Sequence, residues 1–405
     1  MQQDRIILHC DCNSFFASVE TALNPSYSSV PMAVCGSTDD RHGIVLAKNE
    51  LAKAYGIQTA ETVYSAKKKC PSLVIAKPHR EEYLKYSNAV NKIYRDYTDM
   101  VEPFGIDESW LDITRSQRLF GSGIEIAEQI KERVKKEIGI TVSIGVSYNK
   151  VFAKLGSDYK KPDAITVISR ENYKHIVFPL PVGDLLFVGN KTAVQLSSMG
   201  IHTIGELAAS DVNFLSRKLG KQGQMLYTYA NGLDSSVVMD NCNEDAKSVS
   251  NGLTFKRDLK SFDECQIGID YLSDEIGRRL RNKNLKCNTV SITIKDEFLK
   301  VIQRQRPMQI PTDIACEISK VAFEILKDEW QEGRAVRMLT VCASGLETTG
   351  NITEQINLFD DDDSESTNRE KNKKVEQTVD IIRQKHGDKS IIKGSFINND
   401  IGLLD

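Results

Sequence analysis

The chain has 405 residues, 40% of them hydrophobic and 27% charged, and 53 basic against 56 acidic residues leave a net charge of −3. This composition excludes a collagen-like chain and a chain disordered throughout, and the length predicts two to four domains. No apolar stretch approaches the roughly 18 residues of a membrane-spanning helix, and the first residues lack a signal-peptide pattern, so we expect a cytoplasmic protein without membrane contact. The nearly balanced charge by itself does not indicate a nucleic-acid partner.

The first 150 residues predict one mixed unit of strands and helices. An apolar run ends abruptly on Asp11, and a later hairpin has Asp107 and Glu108 at its bend. Two segments with apolar residues at helical spacing flank the hairpin. The predicted order is a split β-α-β-β-α-β unit, a sheet covered by helices on one face. Its elements are strand 5–11, helix 82–97, hairpin 100–114, helix 124–138 and strand 140–146.

The second half of the chain predicts two further units and a tail. After Pro179 the short helices are interrupted by glycine, which indicates a small helical domain, and the polar residues 235–246 indicate a linker. A second β-α-β-β-α-β order lies within 247–346. Beyond it the apolar content falls, so we expect a mobile tail over 347–405.

Two smaller features complete the pattern. Within the tail, the spacing of Val375, Val379 and Ile382 indicates one short helix before Gly387. The nine cysteines include no Cys-x-x-Cys pair and lie among apolar residues. We therefore expect buried thiols in a reducing compartment, with neither disulfides nor a zinc site.

The chemistry of the first unit centres on three carboxylates. Asp11 at a strand end and Asp107 and Glu108 at a bend of the same sheet would lie side by side, where their charges repel. A hard divalent cation with oxygen ligands offsets that repulsion, and Mg²⁺ fits best. Two such ions would bind nucleotide phosphates and activate an attacking oxygen. Acidic residues of an ordinary surface turn are the alternative, and the flanking β-α-β-β-α-β order favours the functional interpretation.

Three segments in this order carry a family resemblance: DCNSFFASVE from Asp11, GIDESWLDIT from Gly105, and SIGVSYNKVFAKLGSDYKKPDAI from Ser143. They resemble the signature segments of Y-family DNA polymerases, the DinB/UmuC-type translesion enzymes of bacteria, and the match spans residues 1–346. The resemblance implies a template-directed polymerase that adds a deoxynucleoside monophosphate to a primer 3′-hydroxyl, with low fidelity and with bypass of damaged template in DNA repair.

The resemblance also implies a multidomain α+β fold shaped like a right hand. The palm is ferredoxin-like, the fingers are small, the thumb is helical with a helix-hairpin-helix, and the little finger is a β-α-β-β-α-β domain. The implied boundaries are palm 1–14 and 79–168, fingers 15–78, thumb 169–234, linker 235–246, little finger 247–346, and a mobile tail 347–405.

Individual positions carry over from the family to this chain. Asp11, Asp107 and Glu108 correspond to the catalytic, metal-binding carboxylates, and the backbone carbonyl of Cys12 corresponds to a further ligand, which implies two Mg²⁺ ions per site. Phe16 corresponds to the steric gate, a ring that leaves no room for a ribose 2′-hydroxyl.

The implied nucleotide contacts also include residues around the gate and in the fingers. A core position suits Phe15 better than a nucleotide contact. The family often has tyrosine and arginine where this chain has Glu50 and Lys53, and Lys53 keeps the charge without the bidentate fork of arginine. The full set of implied substrate contacts is Phe15, Phe16, Ile44, Lys53 and Lys161.

DNA contacts are implied in the thumb and the little finger. Gly189 opens a helix whose N-H groups would face a phosphate. The tail holds 13 acidic and 8 basic residues, a net charge of −5, so the first 346 residues carry +2 of the total of −3. A mildly basic body predicts modest, salt-sensitive DNA binding. The implied DNA contacts are Gly189, Lys191, Lys256, Arg257, Lys300, Arg304 and Arg306.

A short motif in the tail indicates a further partner. Residues 355–359 read Gln-Ile-Asn-Leu-Phe and resemble the peptide that bacterial polymerases insert into the β sliding clamp. Gln355 would bond at the pocket rim while Leu358 and Phe359 fill an apolar pocket. Tethering would raise the local concentration of a weakly binding, monomeric polymerase at the primer end.

Two other functions remain open at this point. A nucleotidyl cyclase-type enzyme can use the same palm fold, since a fold does not determine a function. A non-catalytic accessory protein could bind DNA and clamp alone. The cyclase leaves the thumb, the little finger and the clamp motif without a role, and the accessory protein would not need the three carboxylates.

Overall fold

The structure is a computed structural model, and it describes residues 5–36, 43–240, 246–348, 363–397 and 399–403. The chain divides into two compact units, residues 1–243 and 244–405. The division falls within the predicted linker 235–246. The first six of those residues belong to the first unit, where the side chain of Val238 is fully buried and the N-H of Met239 donates to Glu102.

The first unit contains eight strands and twelve helices in the described residues. The strands are β1 (Ile7–Cys12), β2 (Met32–Cys35), β3 (Val45–Lys48), β4 (Val74–Ala76), β5 (Val101–Pro103), β6 (Glu108–Asp112), β7 (Val142–Ser147) and β8 (Ile165–Ile168). The helices are α1 (Phe15–Leu23), α2 (Glu50–Ala54), α3 (Val63–Lys69), α4 (Arg80–Arg95), α5 (Gln117–Phe120), α6 (Gly123–Arg133), α7 (Lys150–Tyr159), α8 (Tyr173–Val177), α9 (Asn190–Ser198), α10 (Ile204–Ala209), α11 (Val212–Leu219) and α12 (Lys221–Ala230).

The central sheet of this unit has the order β5-β6-β1-β7-β8. Its first four strands have the ferredoxin-like arrangement that the order β1-α4-β5-β6-α6-β7 predicts, so the predicted palm fold is confirmed. All six residues of β1 are buried, because the strand lies mid-sheet between β6 and β7.

Strand β8 and helix α7 extend this sheet beyond the predicted elements. Helix α7 crosses from β7 to β8, which pair in parallel. The helix lies so close to β7 that a Cβ on Gly145 would meet the carbonyl oxygen of Ala153 at 1.8 Å. Only glycine fits at this position, and the close contact fixes where α7 lies behind the sheet.

A small three-stranded sheet, β3-β2-β4, forms the predicted fingers. The side chain of Asn49 holds it together: its Oδ1 accepts from the N-H groups of Met32 and Ala52, and its Nδ2 donates to the carbonyls of Tyr27 and Val30. Asn49 thereby caps α2 and ties it to the start of β2 and to the residues before that strand.

Helices α8 to α12 form the predicted thumb around a core of their own. Leu196, Ile204, Leu207, Leu215 and Leu226 are fully buried in it. The helices are short, and Gly220, at a positive φ of 63°, separates α11 from α12.

The second unit contains a four-stranded sheet with the order β11-β10-β12-β9, in which every neighbouring pair is antiparallel. The element order is the predicted β-α-β-β-α-β, but the strand order differs from that of the first unit. Its elements are β9 (Ser248–Leu259), α13 (Phe262–Asn282), β10 (Leu285–Lys295), β11 (Val301–Thr312), α14 (Ala315–Glu329) and β12 (Val336–Thr348), followed by α15 (Asp363–His386).

The expectation of a mobile tail over 347–405 is wrong for its described residues 363–397 and 399–403. The expected short helix is the 24-residue α15, and Arg281 of α13 bonds Glu376 and Asp380 on it. Beyond Gly387, Phe396 and Leu403 are buried in the core of the second unit. Ion pairs and buried apolar side chains hold these residues on the second unit. The amino-acid composition of the tail does not reveal such contacts.

Candidate active site

The three predicted carboxylates lie at one edge of the central sheet. Asp11, near the end of β1, pairs in register with Glu108, the first residue of β6. The N-H of Cys12 donates to the carbonyl of Asp107 at 2.9 Å, which holds the hairpin bend against the end of β1. The structure therefore brings together the acids that the sequence separates by 96 residues.

Glu108 is held by a lysine and a histidine. Lys154 Nζ of α7 lies 2.5 Å from Glu108 Oε2, and Nε2 of the fully buried His9 lies 3.3 Å from the same oxygen. Although burial favours the neutral acid, these two neighbours lower the pKa of Glu108 to about 2. Glu108 is therefore ionised throughout the physiological range.

Asp11 is held by Lys161, the predicted triphosphate contact. Lys161 Nζ lies 2.7 Å from Asp11 Oδ2 and 2.9 Å from Asp158 Oδ1. Burial raises the pKa of Asp11, and the ammonium of Lys161 opposes that shift. In turn, burial disfavours the ammonium, but Asp11 and Asp158 raise the pKa of Lys161 overall.

The pKa of Asp107 is shifted in the direction opposite to that of Glu108. Burial, together with repulsion from Asp11 and Glu108, raises its pKa to about 6. The strand register and the bond from Cys12 to the Asp107 carbonyl place the backbones of the three acids next to one another, which accounts for the repulsion. This is the electrostatic condition that a bound cation relieves.

The donor set fits a hard divalent cation. In the described part of the chain, no three Asp, Glu, His or Cys side chains surround a common point as they would around an ion. Two of the three carboxylates are instead turned to the ammonium groups of Lys154 and Lys161. The lysines supply the positive charge that the cluster needs, and all three acids offer the oxygen ligands that Mg²⁺ prefers.

The predicted gate, Phe16, lies in the first turn of α1, the helix that follows β1, and is partly exposed. Its ring stacks on Tyr83 of α4, with centroids 4.3 Å apart and planes 15° from parallel. Phe15, in contrast, is 3% exposed and belongs to the palm core. Its predicted contact with the nucleotide is therefore wrong, because successive residues of a helix point in directions about 100° apart.

The predicted fingers contacts lie at the surface. Ile44 is 38% exposed. Lys53 forms an ion pair with Glu50 at 3.6 Å on α2, so the negative charge of Glu50 is offset within its own helix. Lys48, which the sequence did not single out, has its pKa lowered by burial and by Lys53 nearby. Lys48 and Lys53 therefore place positive charge on the fingers, in addition to that of the two lysines at the carboxylates.

The thumb residues are placed as the sequence predicts. Gly189 precedes the first turn of α9, and Lys191 is exposed within that turn. A side chain at Gly189 would meet no atom within 4 Å, so the first N-H groups of the helix are open to an approaching anion.

Two arginines of β11 are solvent-accessible, as expected, but they are engaged with acids of the same domain. Arg304 and Arg306 pair in register with the core residues Ile292 and Val290, which puts them on the helix-covered face. Arg304 bonds Glu329 and Arg306 bonds Glu324 and Asp328, all on α14. Nothing in the sequence indicated these partners, because the acids lie on a helix that follows the strand and reach it only in the folded domain.

Arg257 is likewise engaged with acids, while the neighbouring lysines are exposed. Arg257 bonds Glu264 at 2.5 Å and Asp400 at 2.7 Å, so it is not an open DNA contact. Lys256 is exposed on β9, where its N-H donates to the carbonyl of Ile401. Lys300 is exposed in the β10–β11 turn.

The sheet face opposite α13 and α14 was not predicted as a contact surface. The residues of this face alternate along each strand with the residues that face the core, and the strand register aligns them across all four strands. They are uncharged except for Lys295, at one end of the face. None of these residues is acidic. They are Ser250, Gly252, Thr254, Ser291, Thr293, Lys295, Val301, Gln303, Gln305, Met338, Thr340 and Cys342.

Three family models match the chain. Residues 10–158 match the impB/mucB/samB family, and residues 246–358 match its C-terminal domain. Residues 183–234 match a model described as a DNA polymerase-iota thumb domain. A curated DNA polymerase IV of Acetivibrio thermocellus is 48% identical over 396 residues, which is 98% of each chain. The chain belongs to the Y family of DNA polymerases.

Other members of the family are also similar over most of their length. DNA polymerase IV of Moorella thermoacetica is 38% identical over 85% of this chain and 87% of its own. Among solved structures, a Y-family DNA polymerase chimera of Dbh and Dpo4 covers 85% of this chain and 99% of its own, with a TM-score of 0.75 and 24% identity. That likeness concerns the fold, and it agrees with the right-hand architecture that the sequence predicts.

Some contacts of the candidate site were not found in the sequence. His9 and Lys154 support Glu108, and Tyr83 supports Phe16, although these residues lie on separate elements. The position of His9 two residues before Asp11, on the other side of the strand from its neighbour Cys10, was a usable signal. Nothing in the sequence paired residue 83 with residue 16.

Three remaining predictions are answered in different ways. The clamp motif residues Gln355, Leu358 and Phe359 lie outside the described residues. Six of the eight described cysteines are buried, as expected, and the other two are Cys316 and Cys342. In the described part of the chain, no helix is both long and apolar enough to cross a membrane.

Proposed function

We propose that this chain is a template-directed DNA polymerase that adds a deoxynucleoside monophosphate to a primer 3′-hydroxyl, releases pyrophosphate, and works on damaged as well as intact template. The observation that carries the proposal is the convergence of Asp11, Asp107 and Glu108 at one sheet edge, with Lys161 bonded to Asp11. Relatives named DNA polymerase IV match nearly the whole chain, which favours a polymerase over a cyclase or a non-catalytic accessory protein.

The proposed cofactor is a pair of Mg²⁺ ions. Y-family polymerases are metal-dependent in general, and here the ligands would be Asp11, Asp107, Glu108 and the backbone carbonyl of Cys12. When bound, the ions would activate the 3′-oxygen and neutralise charge that develops on the phosphates. Glu108 is ionised at any working pH, and Asp107 loses its proton as the pH passes about 6.

The chain's own residues would bind and orient the nucleotide. Lys161 bonds two acids in the structure, and a triphosphate would compete with Asp158 and Asp11 for its ammonium. Lys48 and Lys53 add positive charge on the fingers. The ring of Phe16 would exclude a ribose 2′-hydroxyl by its volume.

The proposed partners are primer-template DNA, deoxynucleoside triphosphates and the sliding clamp. Gly189 and Lys191 of the thumb would hold DNA phosphates through helix N-H groups and charge. In the little finger, the uncharged sheet face, together with Lys256, Lys295 and Lys300, suits a sugar-phosphate backbone better than the paired arginines do. The clamp would bind residues 355–359, and we propose that the enzyme is a cytoplasmic monomer.

The carboxylates are tested by a charge-matched pair of double variants. We expect Asp107→Asn with Glu108→Gln to abolish Mg²⁺-dependent primer extension on intact and abasic templates, because two of the three acidic ligands are lost. The control, Asp99→Asn with Glu128→Gln, removes two exposed carboxylates and should keep extension within about twofold of the unaltered protein. Undiminished extension by the first variant would refute the site, and filter or fluorescence DNA binding should be unchanged in both.

A further inference from the structure

The steric gate has a stacking partner on another element. Phe16 lies on α1, and the ring stacked against it at 4.3 Å belongs to Tyr83, in the first turns of α4. Tyr83 is 1% exposed, whereas Phe16 is partly exposed. One face of the Phe16 ring is therefore covered by a ring that has no freedom to move away.

The hydroxyl of Tyr83 is itself tied to the helix of the gate. It donates to the carboxylate of Glu20, which is 2% exposed and lies four residues after Phe16 on α1. Residues four apart face the same side of a helix. One tyrosine thus contacts both the gate ring and the next turn of the gate helix, by stacking and by a hydrogen bond respectively.

His79 completes this set of contacts from the start of α4. Its backbone N-H donates to Glu20 Oε1 at 3.2 Å, and its ring Nδ1 lies 2.9 Å from Oε2. The N-H of Tyr83 donates in turn to the carbonyl of His79. Glu20 therefore accepts from the first residues of α4 and from Tyr83 together, which satisfies a buried carboxylate that would otherwise be costly.

We propose that Tyr83, held by Glu20 and His79, is a positioning residue for Phe16 and sets how strictly the enzyme excludes ribonucleotides. A gate that acts by volume works only if its ring cannot retreat, and displacements of about 1 Å are enough to weaken such selection. The stack with Tyr83 blocks the retreat toward α4. This inference rests on the proposed polymerase activity and on Phe16 as the gate.

The test is the ratio of kcat/KM for a deoxynucleotide to kcat/KM for the matching ribonucleotide. We expect Tyr83→Leu, which removes the stack, to lower this ratio about 5- to 10-fold, in line with the usual strength of an aromatic pair. The change should come from faster ribonucleotide insertion, with deoxynucleotide kcat/KM within about twofold of the unaltered enzyme. A merely structural defect would lower both values together.

Companion variants separate the possible causes. Glu20→Gln keeps the side-chain shape but weakens the bond to Tyr83, and it should shift the ratio in the same direction by about twofold. Tyr86→Leu alters a partly buried tyrosine on the same helix that packs on the palm core, and it should leave the ratio unchanged. If Tyr83→Leu does not fold, Tyr83→Phe keeps the ring, and it should match Glu20→Gln.

Phe16→Ala is the reference that distinguishes the two levels of the argument. It should lower the ratio about 10- to 200-fold, the range for a group that rejects its competitor by fit. If Phe16→Ala lowers the ratio but the Tyr83 and Glu20 variants leave it unchanged, the positioning role of Tyr83 is overturned and the gate at Phe16 stands. An unchanged ratio in Phe16→Ala would overturn the gate itself, and absence of extension by the unaltered protein would overturn the proposed function.

Discussion

The three carboxylates of the candidate site differ in whether a basic side chain neutralises their charge. Glu108 has Lys154 and His9, and Asp11 has Lys161, whereas among the described residues no lysine or arginine forms an ion pair with Asp107. Asp107 therefore carries the unrelieved repulsion of the cluster, which raises its pKa to about 6. Without a bound cation, the folded state would hold the proton on Asp107 more tightly than the unfolded chain does.

This imbalance predicts a pH-dependent gain in stability when the charge is removed. Because the folded pKa is about 6 and the ordinary value is 3.8, the folded protein loses stability as the pH rises through this window. In the presence of a chelator, Asp107→Asn should raise the free energy of unfolding at pH 8 by about 1–3 kcal/mol relative to the unaltered protein. Thermal or urea unfolding at pH 5 and pH 8 measures the difference in free energy of unfolding between the variant and the unaltered protein. A difference that does not increase from pH 5 to pH 8 would contradict the raised pKa of Asp107.

Helix α15 illustrates how an element predicted to be marginal becomes part of a domain. Its composition is mostly polar, and an isolated helix of this kind gains little from packing. Arg281, with only 8% of its side chain exposed, bonds Glu376 and Asp380 on α15, and Arg383 of α15 bonds Asp274. Ion pairs of both polarities thus join α15 to α13, with acids of α15 on Arg281 and an arginine of α15 on Asp274.

The buried ion pairs predict an asymmetric response to arginine substitution. Arg281→Ala leaves Glu376 and Asp380 without their partner, and it should lower the free energy of unfolding of the second unit by about 3–5 kcal/mol. Arg304→Ala breaks the more exposed pair with Glu329 and should cost about 1 kcal/mol or less. Urea unfolding of the full chain, followed by hydrogen exchange of α13 and α15, measures both, and equal losses would count against burial as the cause.

The four-stranded sheet of the second unit predicts which of its basic residues bind DNA. Lys295→Gln with Lys300→Gln should weaken primer-template binding and lower the slope of log K against log salt by about 1–2, since up to two phosphate contacts are lost. Arg304→Gln with Arg306→Gln removes the same charge from residues already paired with acids, and it should change affinity by less than about twofold. Titration by fluorescence anisotropy at several salt concentrations compares the two, and the reverse ranking would refute the proposed surface.

At the scale of the whole molecule, the placement of the clamp motif matters most. Residues 355–359 lie between β12, which ends at Thr348, and α15, which begins at Asp363, and both elements belong to the second unit. In the sequence the motif therefore lies between two elements of the second unit rather than after the last of them. Binding there would bring the second unit to the clamp directly, and the tether would be short.

Clamp dependence follows as a separable property. Leu358→Ala with Phe359→Ala should abolish the stimulation of primer extension by the β clamp, because both anchors of the apolar pocket are lost. Extension without the clamp should stay within about twofold, since neither residue belongs to the active site. Asp361→Ala with Asp362→Ala is the matched control, and equal stimulation of both variants in a processivity assay would refute the motif.

Local patterns in the sequence were sufficient for the elements of the two β-α-β-β-α-β units and for the chemistry of the acids, although α7, β8 and the length of α15 were not predicted. The apolar run before Asp11, the hairpin with Asp107 and Glu108, and both β-α-β-β-α-β orders depend on periodicities within about 20 residues, which propensity and side-chain alternation encode directly. The gate at Phe16 and the lysine at Lys161 came from a family resemblance, and their roles are still predictions.

The arrangement of those elements depended on contacts between distant residues. The two β-α-β-β-α-β units share one element order but differ in strand order, because pairing between strands is decided by which apolar faces pack together in three dimensions. The same holds for Phe16 with Tyr83 and for Arg281 with Glu376, 67 and 95 residues apart. Local sequence therefore determined which residues can do chemistry, and tertiary packing decided which of them are neutralised, positioned or left open.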